Sequence, residues 1–258
     1  MDSKALVRAQ FDKQAESFSN WSVARNEAYM QGYFQFSGIG RGDDLLDVAC
    51  GTGEFSIFCA KRINRVHGID ISEGMIELAR KQAHAHGLSN VTFDCHDGEN
   101  VPCDSSSFSV VTCRNSYHHM EDYEHVFKEM LRCCKPNGRL SVQDITAYDN
   151  PQVNSFFEAL EREIDISHHA SLYRHEFIDL FEGNRLEGIR SMDVEIELNF
   201  REYLGHASQS ENHRGSISDL LEYGLRDEAI SNFLYLKKDD ELILKRKVFL
   251  ILGQRPGA

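Results

Sequence analysis

The chain has 258 residues, 41% of them hydrophobic and 10% aromatic, which is typical of a globular protein with one large domain or two small ones. Its formal net charge of -13 disfavours a nucleic-acid partner, because proteins that bind a phosphate backbone use clustered Lys and Arg. No apolar run is long enough to cross a bilayer or to act as a signal segment, so we expect a cytoplasmic protein without a membrane span.

The N-terminal part of the chain predicts a helical cap. Its apolar residues recur mostly three or four positions apart between Ser3 and Phe36, and the pattern breaks near Ser19 and Asn20. We therefore predict two helices before the first strand.

The stretch from residue 45 to residue 55 predicts a strand, a tight turn and the start of a helix. An apolar run that suits a buried strand ends in a turn with Gly51 and Gly53, where the backbone can approach a ligand closely. A helix that begins near Gly53 would point unpaired N–H groups at that ligand. An ordinary strand-to-helix connection also favours glycine, so the two glycines alone do not decide between a binding loop and a plain turn.

Strands and helices then alternate up to residue 146. The predicted elements are a helix over 54–62, a strand over 66–70, a helix over 73–85 with Ser72 as its N-cap, strands over 91–95 and 107–113, a helix that stops before Pro136, and a strand over 140–145. This alternation predicts an α/β fold with a doubly wound, mostly parallel sheet, in which ligands bind beyond the carboxyl ends of the strands.

The pattern changes after the fifth strand. We predict helices over 151–163 and 174–181, a strand over 192–198, a helical stretch over 217–236 and a last strand over 247–252. These two strands and the five before them give a sheet of seven strands. The polar stretch from Leu204 to Gly215 predicts a mobile loop, and residues 237–240 predict an exposed turn.

Three carboxylates stand at or just after the ends of the first three strands. Asp47, Asp70 and Asp97 suit a ligand with a ribose, an amine and the amino group of adenine, and they do not suit a pyrophosphate. A dinucleotide-binding turn would also want a third glycine three residues past Gly53, where this chain has Ser56. These residues favour an adenosyl cofactor over a dinucleotide.

The segments Leu45–Gly53 and Val66–Met75 together resemble the class I S-adenosylmethionine-dependent methyltransferases, in particular the small-molecule group related to the ubiquinone and menaquinone biosynthesis methyltransferases. The resemblance implies a Rossmann-like methyltransferase fold, S-adenosylmethionine as cofactor and S-adenosylhomocysteine as product. It implies a single domain over residues 1–258, with a helical cap over 1–40, a cofactor-binding half over 41–146, and a substrate-side half over 147–258. Helices from the cap and from the segment after the fifth strand would form a lid.

The resemblance also implies which residues bind the cofactor. They are Asp47, Gly51 and Gly53 at the methionine part, Asp70 at the ribose hydroxyls, Ile71 and Met75 beside adenine, Asp97 and Gly98 at the adenine amino group, and Arg114 at the methionine end. The family often has a tyrosine in the first helix where this chain has Phe18, so a contact through that hydroxyl is not expected here.

Methyl transfer from a sulfonium is an in-line displacement, which alignment and desolvation can accelerate, and a base is needed only if the acceptor must lose a proton. Histidine titrates in the useful range, and two pairs occur, at positions 118–119 and 168–169. Because adjacent helical residues point in different directions, we expect at most one histidine of each pair to face the cleft. We favour His119 and His168 as the catalytic residues. A surface or cap position is the alternative for each. The pairs lack the i, i+4 spacing of a metal site, so no metal is predicted.

No residue in the sequence identifies the methyl acceptor. Oxygen, nitrogen, carbon and sulfur are all possible methyl acceptors, and the expected substrate walls are Tyr117, Tyr148, Phe156 and Tyr203, for which core packing is the alternative. One rival function is a protein that binds S-adenosylmethionine without transferring the methyl group. Another is a nucleic-acid methyltransferase. The members of that class that methylate an amino group would have two prolines in the segment where this chain has Asn115–His118. A homodimer is possible.

Overall fold

The computed structural model describes residues 3–19, 21–23, 25–206, 211–237 and 240–257. Two helices, α1 (Ser3–Ser19) and α2 (Glu27–Phe36), precede the first strand, as predicted. The Asn26 side chain accepts hydrogen bonds from the backbone of Ala28 and Tyr29 and so starts α2. Asn20, where the break between the helices was predicted, lies outside the described residues.

The first half of the domain alternates strands and helices in the predicted order. Its elements are β1 (Asp44–Val48), α3 (Glu54–Ala60), β2 (Arg65–Asp70), α4 (Glu73–Ala85), β3 (Val91–Cys95), β4 (Phe108–Arg114), α5 (Tyr123–Cys133) and β5 (Cys134–Ile145). Ser72 caps α4 by accepting a hydrogen bond from the backbone of Met75, as its position predicted. β5 begins earlier than expected because its pairing with β4 shifts register between Phe108 and Val110, which accommodates the turn-forming residues 136–138 inside the strand.

The second half differs from the prediction at two places. Its elements are α6 (Pro151–Ile164), α7 (Arg174–Gly183), β6 (Glu187–Asn199), α8 (Phe200–His206), α9 (Glu211–Arg226), β7 (Leu234–Leu236) and β8 (Leu242–Gln254). The single helix predicted over 217–236 is wrong: α9 ends at Arg226, and the Asp227 side chain accepts hydrogen bonds from the backbone of Ala229 and Ile230 in the turn that follows. The loop predicted over 204–215 is also wrong where the chain is described, since α8 and α9 occupy both its ends; residues 207–210 lie outside the described residues.

The main path of the sheet has seven strands in the order β3-β2-β1-β4-β5-β8-β6, and the short β7 pairs with the start of β8. The first five strands are parallel and β8 is antiparallel to its neighbours, which confirms the doubly wound, mostly parallel sheet. β1 pairs with β2 on one side and with β4 on the other, so the strand order reverses there. The carboxyl ends of β1 and β4 therefore border the crevice in which this kind of sheet binds ligands.

Three apolar clusters hold these layers together. One lies under α5 and α7, a second under α2, α3 and α4, and the third joins α6, α8 and α9 to β7 and the start of β8. In the described part of the chain, no helix is both long enough and apolar enough to span a membrane.

The packing of α9 on α6 predicts opposite effects for two glycine substitutions in the same helix. A Cβ at Gly224 would lie 2.5 Å from the Phe156 ring and 2.9 Å from Leu234, whereas a Cβ at Gly215 would meet nothing within 4 Å. We expect Gly224→Ala to lower the free energy of unfolding by about 1–3 kcal/mol through overpacking. Gly215→Ala should raise it by up to about 1 kcal/mol through helix propensity. Urea unfolding measures both, and equal stability of the two variants would contradict this packing.

Candidate active site

A cavity lies at the carboxyl ends of β1, β2 and β4 and continues between α1, α6 and β8. Every residue predicted to bind the cofactor lines it except Gly53, and so do both favoured histidines, His119 and His168. The lid helices predicted from the cap and from the segment after β5 both contribute side chains to the lining, among them Phe11 and Glu161.

The loop after β1 turns sharply beneath the cavity. Ala49, Gly51 and Gly53 have φ angles of 56°, 55° and 78°, in the left-handed region that favours glycine. A Cβ at Gly53 would lie 2.8 Å from the Phe93 ring and 2.9 Å from Ala79, so close packing under the loop also requires glycine there. Gly53 thus shapes the turn from below, while Gly51 reaches the cavity.

Asp47 is buried at the end of β1 and is held by two hydroxyl groups. Ser56 Oγ donates to Asp47 Oδ2 at 2.6 Å, and Thr112 Oγ1 donates to Asp47 Oδ1 at 3.0 Å. Burial raises the pKa of Asp47, and these hydrogen bonds and the charge of Arg114 act against that rise. Ser56, which stands where a dinucleotide-binding turn would have glycine, therefore fixes the carboxylate of Asp47.

Asp70 joins the loop after β1 to the beginning of α4. Its Oδ2 accepts a hydrogen bond from the Gly51 backbone at 2.8 Å, and its Oδ1 accepts one from the Ser72 backbone at 3.0 Å. Burial raises the pKa of Asp70 to about 6, although both backbone hydrogen bonds oppose that rise. The carboxylate also lines the cavity, so it can accept further hydrogen bonds from a ligand.

One side of α1 is tied to the rim of the cavity by charged side chains. Lys4 Nζ lies 2.7 Å from Asp97 Oδ2 and 2.6 Å from Glu99 Oε2. Asp12 Oδ1 accepts hydrogen bonds from Ser72 Oγ at 2.6 Å and from the Gly74 backbone at 3.0 Å. The role of Asp12 was not predicted, because a carboxylate on the polar side of a helix carries no sign of its partner in the sequence.

The other side of α1 faces the cavity with a stripe of apolar residues interrupted by one amide. The stripe consists of Val7, Phe11, Gln14 and Phe18. The Phe11 ring packs edge-on against His119 with centroids 5.0 Å apart, and a Cβ at Gly51 would touch the Phe18 ring at 3.9 Å. Gln14 is 1% exposed, and neither atom of its amide has a hydrogen-bond partner in the described part of the chain. A buried amide without partners is costly unless a ligand satisfies it.

His118 is backed by a buried carboxylate at the end of β5. His118 Nδ1 lies 2.5 Å from Asp144 Oδ1, and Asp144 Oδ2 accepts hydrogen bonds from the backbone of Ser116 and Tyr117. Burial acts to raise the pKa of Asp144, but the charge and hydrogen bond of His118 outweigh it and hold that pKa below its usual value. His118 lines the cavity as well. The sequence favoured His119 as the catalytic residue of this pair, but it is His118 that has a carboxylate partner.

The two favoured histidines have different surroundings. His119 Nδ1 lies 3.1 Å from the Ser167 carbonyl oxygen, and burial, together with the neighbouring His118, lowers the pKa of His119 to about 3. His168 Nε2 lies 3.1 Å from Glu158 Oε2, and His168 Nδ1 is buried without a hydrogen-bond partner among the described residues.

The expectation that at most one histidine of each pair faces the cleft holds for one pair and is wrong for the other. His168 lines the cavity while His169 is exposed. His118 and His119 both line it, because they lie in a 3-10 turn, and their ring centroids are 4.0 Å apart.

The far wall of the cavity carries a buried ion pair that the sequence did not reveal. Arg246 on β8 pairs with Glu161 on α6, and the Tyr203 hydroxyl donates to the same carboxylate. Tyr203 was expected to form a substrate wall, and it does line the cavity. The other three expected walls are part of the buried apolar clusters and do not line it; they are Tyr117, Tyr148 and Phe156.

Comparison with known proteins identifies the segment around the glycine loop. Residues 45–138 match the family model described as a methyltransferase domain. The chain is 30% identical over 142 residues to the uncharacterized methyltransferase YcgJ of Bacillus subtilis (55% of this chain, 56% of YcgJ). The crystal structure of YcgJ superposes with a TM-score of 0.82 at 21% identity, covering 90% of this chain and 100% of the YcgJ chain, which shows a shared fold.

Two further relatives have names that state an acceptor. The 27-O-demethylrifamycin SV methyltransferase of Amycolatopsis mediterranei is 38% identical over 112 residues, which cover 43% of this chain and 41% of the relative. The demethylmenaquinone methyltransferase of Listeria monocytogenes is 32% identical over 129 residues, which cover 49% and 54%. The chain thus spans about half the length of the relatives that it matches. With the sheet order and the matched domain, these similarities confirm the predicted resemblance of this chain to the class I S-adenosylmethionine-dependent methyltransferases.

Proposed function

We propose that this protein transfers a methyl group from S-adenosylmethionine to a small-molecule acceptor. The observation that carries the proposal is one cavity that joins the carboxylates at the ends of β1 and β2 to a histidine backed by buried Asp144. The relatives with a named acceptor support a small molecule, since demethylrifamycin and demethylmenaquinone are both small molecules.

The residues around the cavity fit this cofactor. Gln14 offers a donor and an acceptor side by side, both without partners in the described chain, and an α-amino acid has an ammonium group beside a carboxylate. Gln14 follows Phe11 and precedes Phe18 on the cavity side of α1, and Phe18 lies over Gly51. This position suits contact with the methionine end of the cofactor, for which the family's tyrosine hydroxyl is missing here.

The remaining contacts with the cofactor would come from residues at the carboxyl ends of successive strands. Asp70 would accept hydrogen bonds from the ribose hydroxyls, and Ile71 and Met75 would flank adenine. Asp97, which Lys4 holds in place, and Gly98 would lie at the adenine amino group. The methionine part would be bordered by Asp47, Gly51 and Arg114, with Gly53 acting through the shape of the turn. When bound, S-adenosylmethionine supplies an electrophilic methyl group on a sulfonium.

His118 is the best placed proton acceptor. The deprotonated Asp144 accepts the N–H of His118 Nδ1, which leaves Nε2 with a lone pair, and the carboxylate stabilises the imidazolium that forms when Nε2 takes a proton. His119 is held neutral by burial and is a weak base, so we assign it to packing and polar contact with the acceptor. His168, which Glu158 orients in the same way, remains a second candidate.

The arrangement favours catalysis over mere binding of the cofactor. A protein that only bound S-adenosylmethionine would not need a buried carboxylate behind a cavity histidine, since such a pair costs desolvation. A nucleic-acid substrate is disfavoured by the formal net charge of -13.

The role of Asp70 predicts that cofactor affinity depends on pH. Ionised Asp70 accepts hydrogen bonds from hydroxyls better than the protonated form, and its pKa is about 6. Calorimetric affinity for S-adenosylhomocysteine should therefore rise between pH 5 and pH 7. Asp70→Asn should weaken binding at pH 7.5 at least about tenfold, equivalent to roughly 1.4 kcal/mol, and should flatten the pH dependence.

Asp94→Asn is the matched control, because Asp94 is an exposed carboxylate on the neighbouring strand β3 and does not line the cavity. This control should bind like the wild type. Unchanged affinity in Asp70→Asn would remove Asp70 from the ribose site.

The role of Gln14 predicts a loss that depends on the ligand. Gln14→Leu should weaken S-adenosylhomocysteine binding about tenfold or more, because it removes both amide contacts with the amino-acid end. The same variant should bind 5′-methylthioadenosine, which lacks that end, as tightly as the wild type does. An equal loss for both ligands, or no loss for either, would contradict a contact between Gln14 and the amino-acid end.

A further inference from the structure

The polar face of α1 is tied to the rim of the cavity beside the proposed adenosine site. Lys4, Arg8 and Asp12 recur four residues apart, so they lie on one face of the helix. Their partners all follow β2 or β3 in the chain; they are Asp97, Glu99, Ile71, Ser72 and Gly74. This face of α1 therefore contacts the segments that would surround adenine and ribose.

Polar contacts hold α1 in place more than apolar packing does. The three apolar clusters that join the layers include no residue of α1. The buried residues of this helix are Gln10, Gln14 and Ala15, two of which are amides. Segments with few buried apolar contacts open at a low cost in free energy. The closed position of α1 thus depends on its hydrogen bonds with the rim and on a ligand in the cavity.

Asp12 brings α1 close to the start of α4. Its Oδ1 accepts hydrogen bonds from Ser72 Oγ at 2.6 Å and from the Gly74 backbone at 3.0 Å. A Cβ at Gly74 would lie 3.3 Å from both Cα and Oδ1 of Asp12, which is tighter than ordinary contact. The glycine therefore permits the approach that places the Asp12 carboxylate over the first turn of α4.

Ser72 links Asp12 to the carboxylate of Asp70. Ser72 is fully buried, and its hydroxyl accepts a hydrogen bond from the Met75 backbone while it donates one to Asp12. The backbone N–H of Ser72 donates to Asp70 Oδ1 at 3.0 Å. A shift of Asp12 would therefore reach Asp70 through a single residue, and hydrogen bonds weaken when their distance or angle departs from the optimum.

Resting on the proposed function, we propose that Asp12 is a positioning residue for the ribose of the cofactor. With α1 closed over the cavity, Asp12 holds Ser72, and Ser72 aligns the carboxylate of Asp70 with the two ribose hydroxyl groups. Because coupling between binding events is reciprocal, a ligand with these hydroxyl groups also holds α1 in its closed position.

A double-mutant cycle tests this link in the whole protein. Asp12→Ala should weaken the binding of S-adenosylhomocysteine about fivefold to tenfold, because it removes the acceptor of the Ser72 hydroxyl. In the Asp70→Asn background the same substitution should change the affinity less than about twofold, since the carboxylate through which Asp12 acts is absent. Asp12→Asn retains a side-chain oxygen as acceptor and should bind within about twofold of the wild type.

Adenosine and 2′,3′-dideoxyadenosine distinguish a positioning role from a merely structural one. Each nucleoside is titrated into the wild-type protein and into Asp12→Ala, and binding is followed by NMR. The substitution should weaken adenosine binding about as much as it weakens S-adenosylhomocysteine binding. It should leave the affinity for 2′,3′-dideoxyadenosine within about twofold of the wild type, because that ligand has no ribose hydroxyl groups for Asp70 to bind.

Two further variants complete the test. Asp122→Ala is the matched control, because Asp122 is also an exposed carboxylate that accepts a backbone hydrogen bond at the start of a helix, α5, and it does not line the cavity. This control should bind both nucleosides as the wild type does. Gly74→Val would push Asp12 away from Ser72 without removing either side chain, so it should reproduce the selective loss of adenosine affinity. Should Asp12→Ala not fold, Gly74→Val decides.

The possible results separate this inference from the proposed function. Equal losses for the two nucleosides, unchanged affinities in Asp12→Ala, or an undiminished effect of that substitution in the Asp70→Asn background would each overturn the inference and leave the proposed function standing. If the wild-type protein does not bind S-adenosylhomocysteine at all, the proposed function itself fails.

Discussion

The cavity depends on one carboxylate, that of Asp70, which is shared between two segments of backbone. It accepts hydrogen bonds from Gly51 in the loop after β1 and from Ser72 at the start of α4, and the Ser72 hydroxyl in turn donates to Asp12 of α1. A continuous set of hydrogen bonds thus runs from the glycine loop to the lid helix. Because Asp70 is buried, ionising it is costly, and bound hydroxyl groups would offset that cost.

A second buried carboxylate organises the opposite end of the cavity. Asp144 accepts two backbone hydrogen bonds from the 3-10 turn after β4 and one from His118, so it fixes the turn and the imidazole together. The two carboxylates lie on strands either side of the point where the strand order reverses. The same crevice can therefore present an adenosyl-binding edge and a proton-accepting edge to neighbouring ligands.

Local signals in the sequence were enough for the first half of the fold. Apolar periodicity placed β1 to β4, and Ser72 was recognised as a cap because its partner lies three residues away. The carboxylates at the strand ends could also be found from the sequence, because parallel strands bring their carboxyl ends to one edge of the sheet. The end of α9 was missed because the helical pattern runs on past Arg226, and only the hydrogen bonds of Asp227 show that the chain turns there.

Features that depend on distant partners could not be predicted in this way. The choice between His118 and His119 depends on Asp144, 26 residues further along the chain, and the pairing of Arg246 with Glu161 joins a strand to a helix far apart in sequence. Gln14 sits in an otherwise apolar stripe, where a single amide gives no sign that both its atoms are buried without partners. Such residues are identified by burial and geometry.

The central claim is that the crevice between β1 and β4 is an adenosyl-cofactor site next to an acceptor site. Calorimetric titration of the wild-type protein with S-adenosylhomocysteine, followed by NADH in competition, tests it most directly. We predict saturable binding of one S-adenosylhomocysteine per chain that NADH does not displace. Tight binding of NADH without binding of S-adenosylmethionine or S-adenosylhomocysteine would contradict the account.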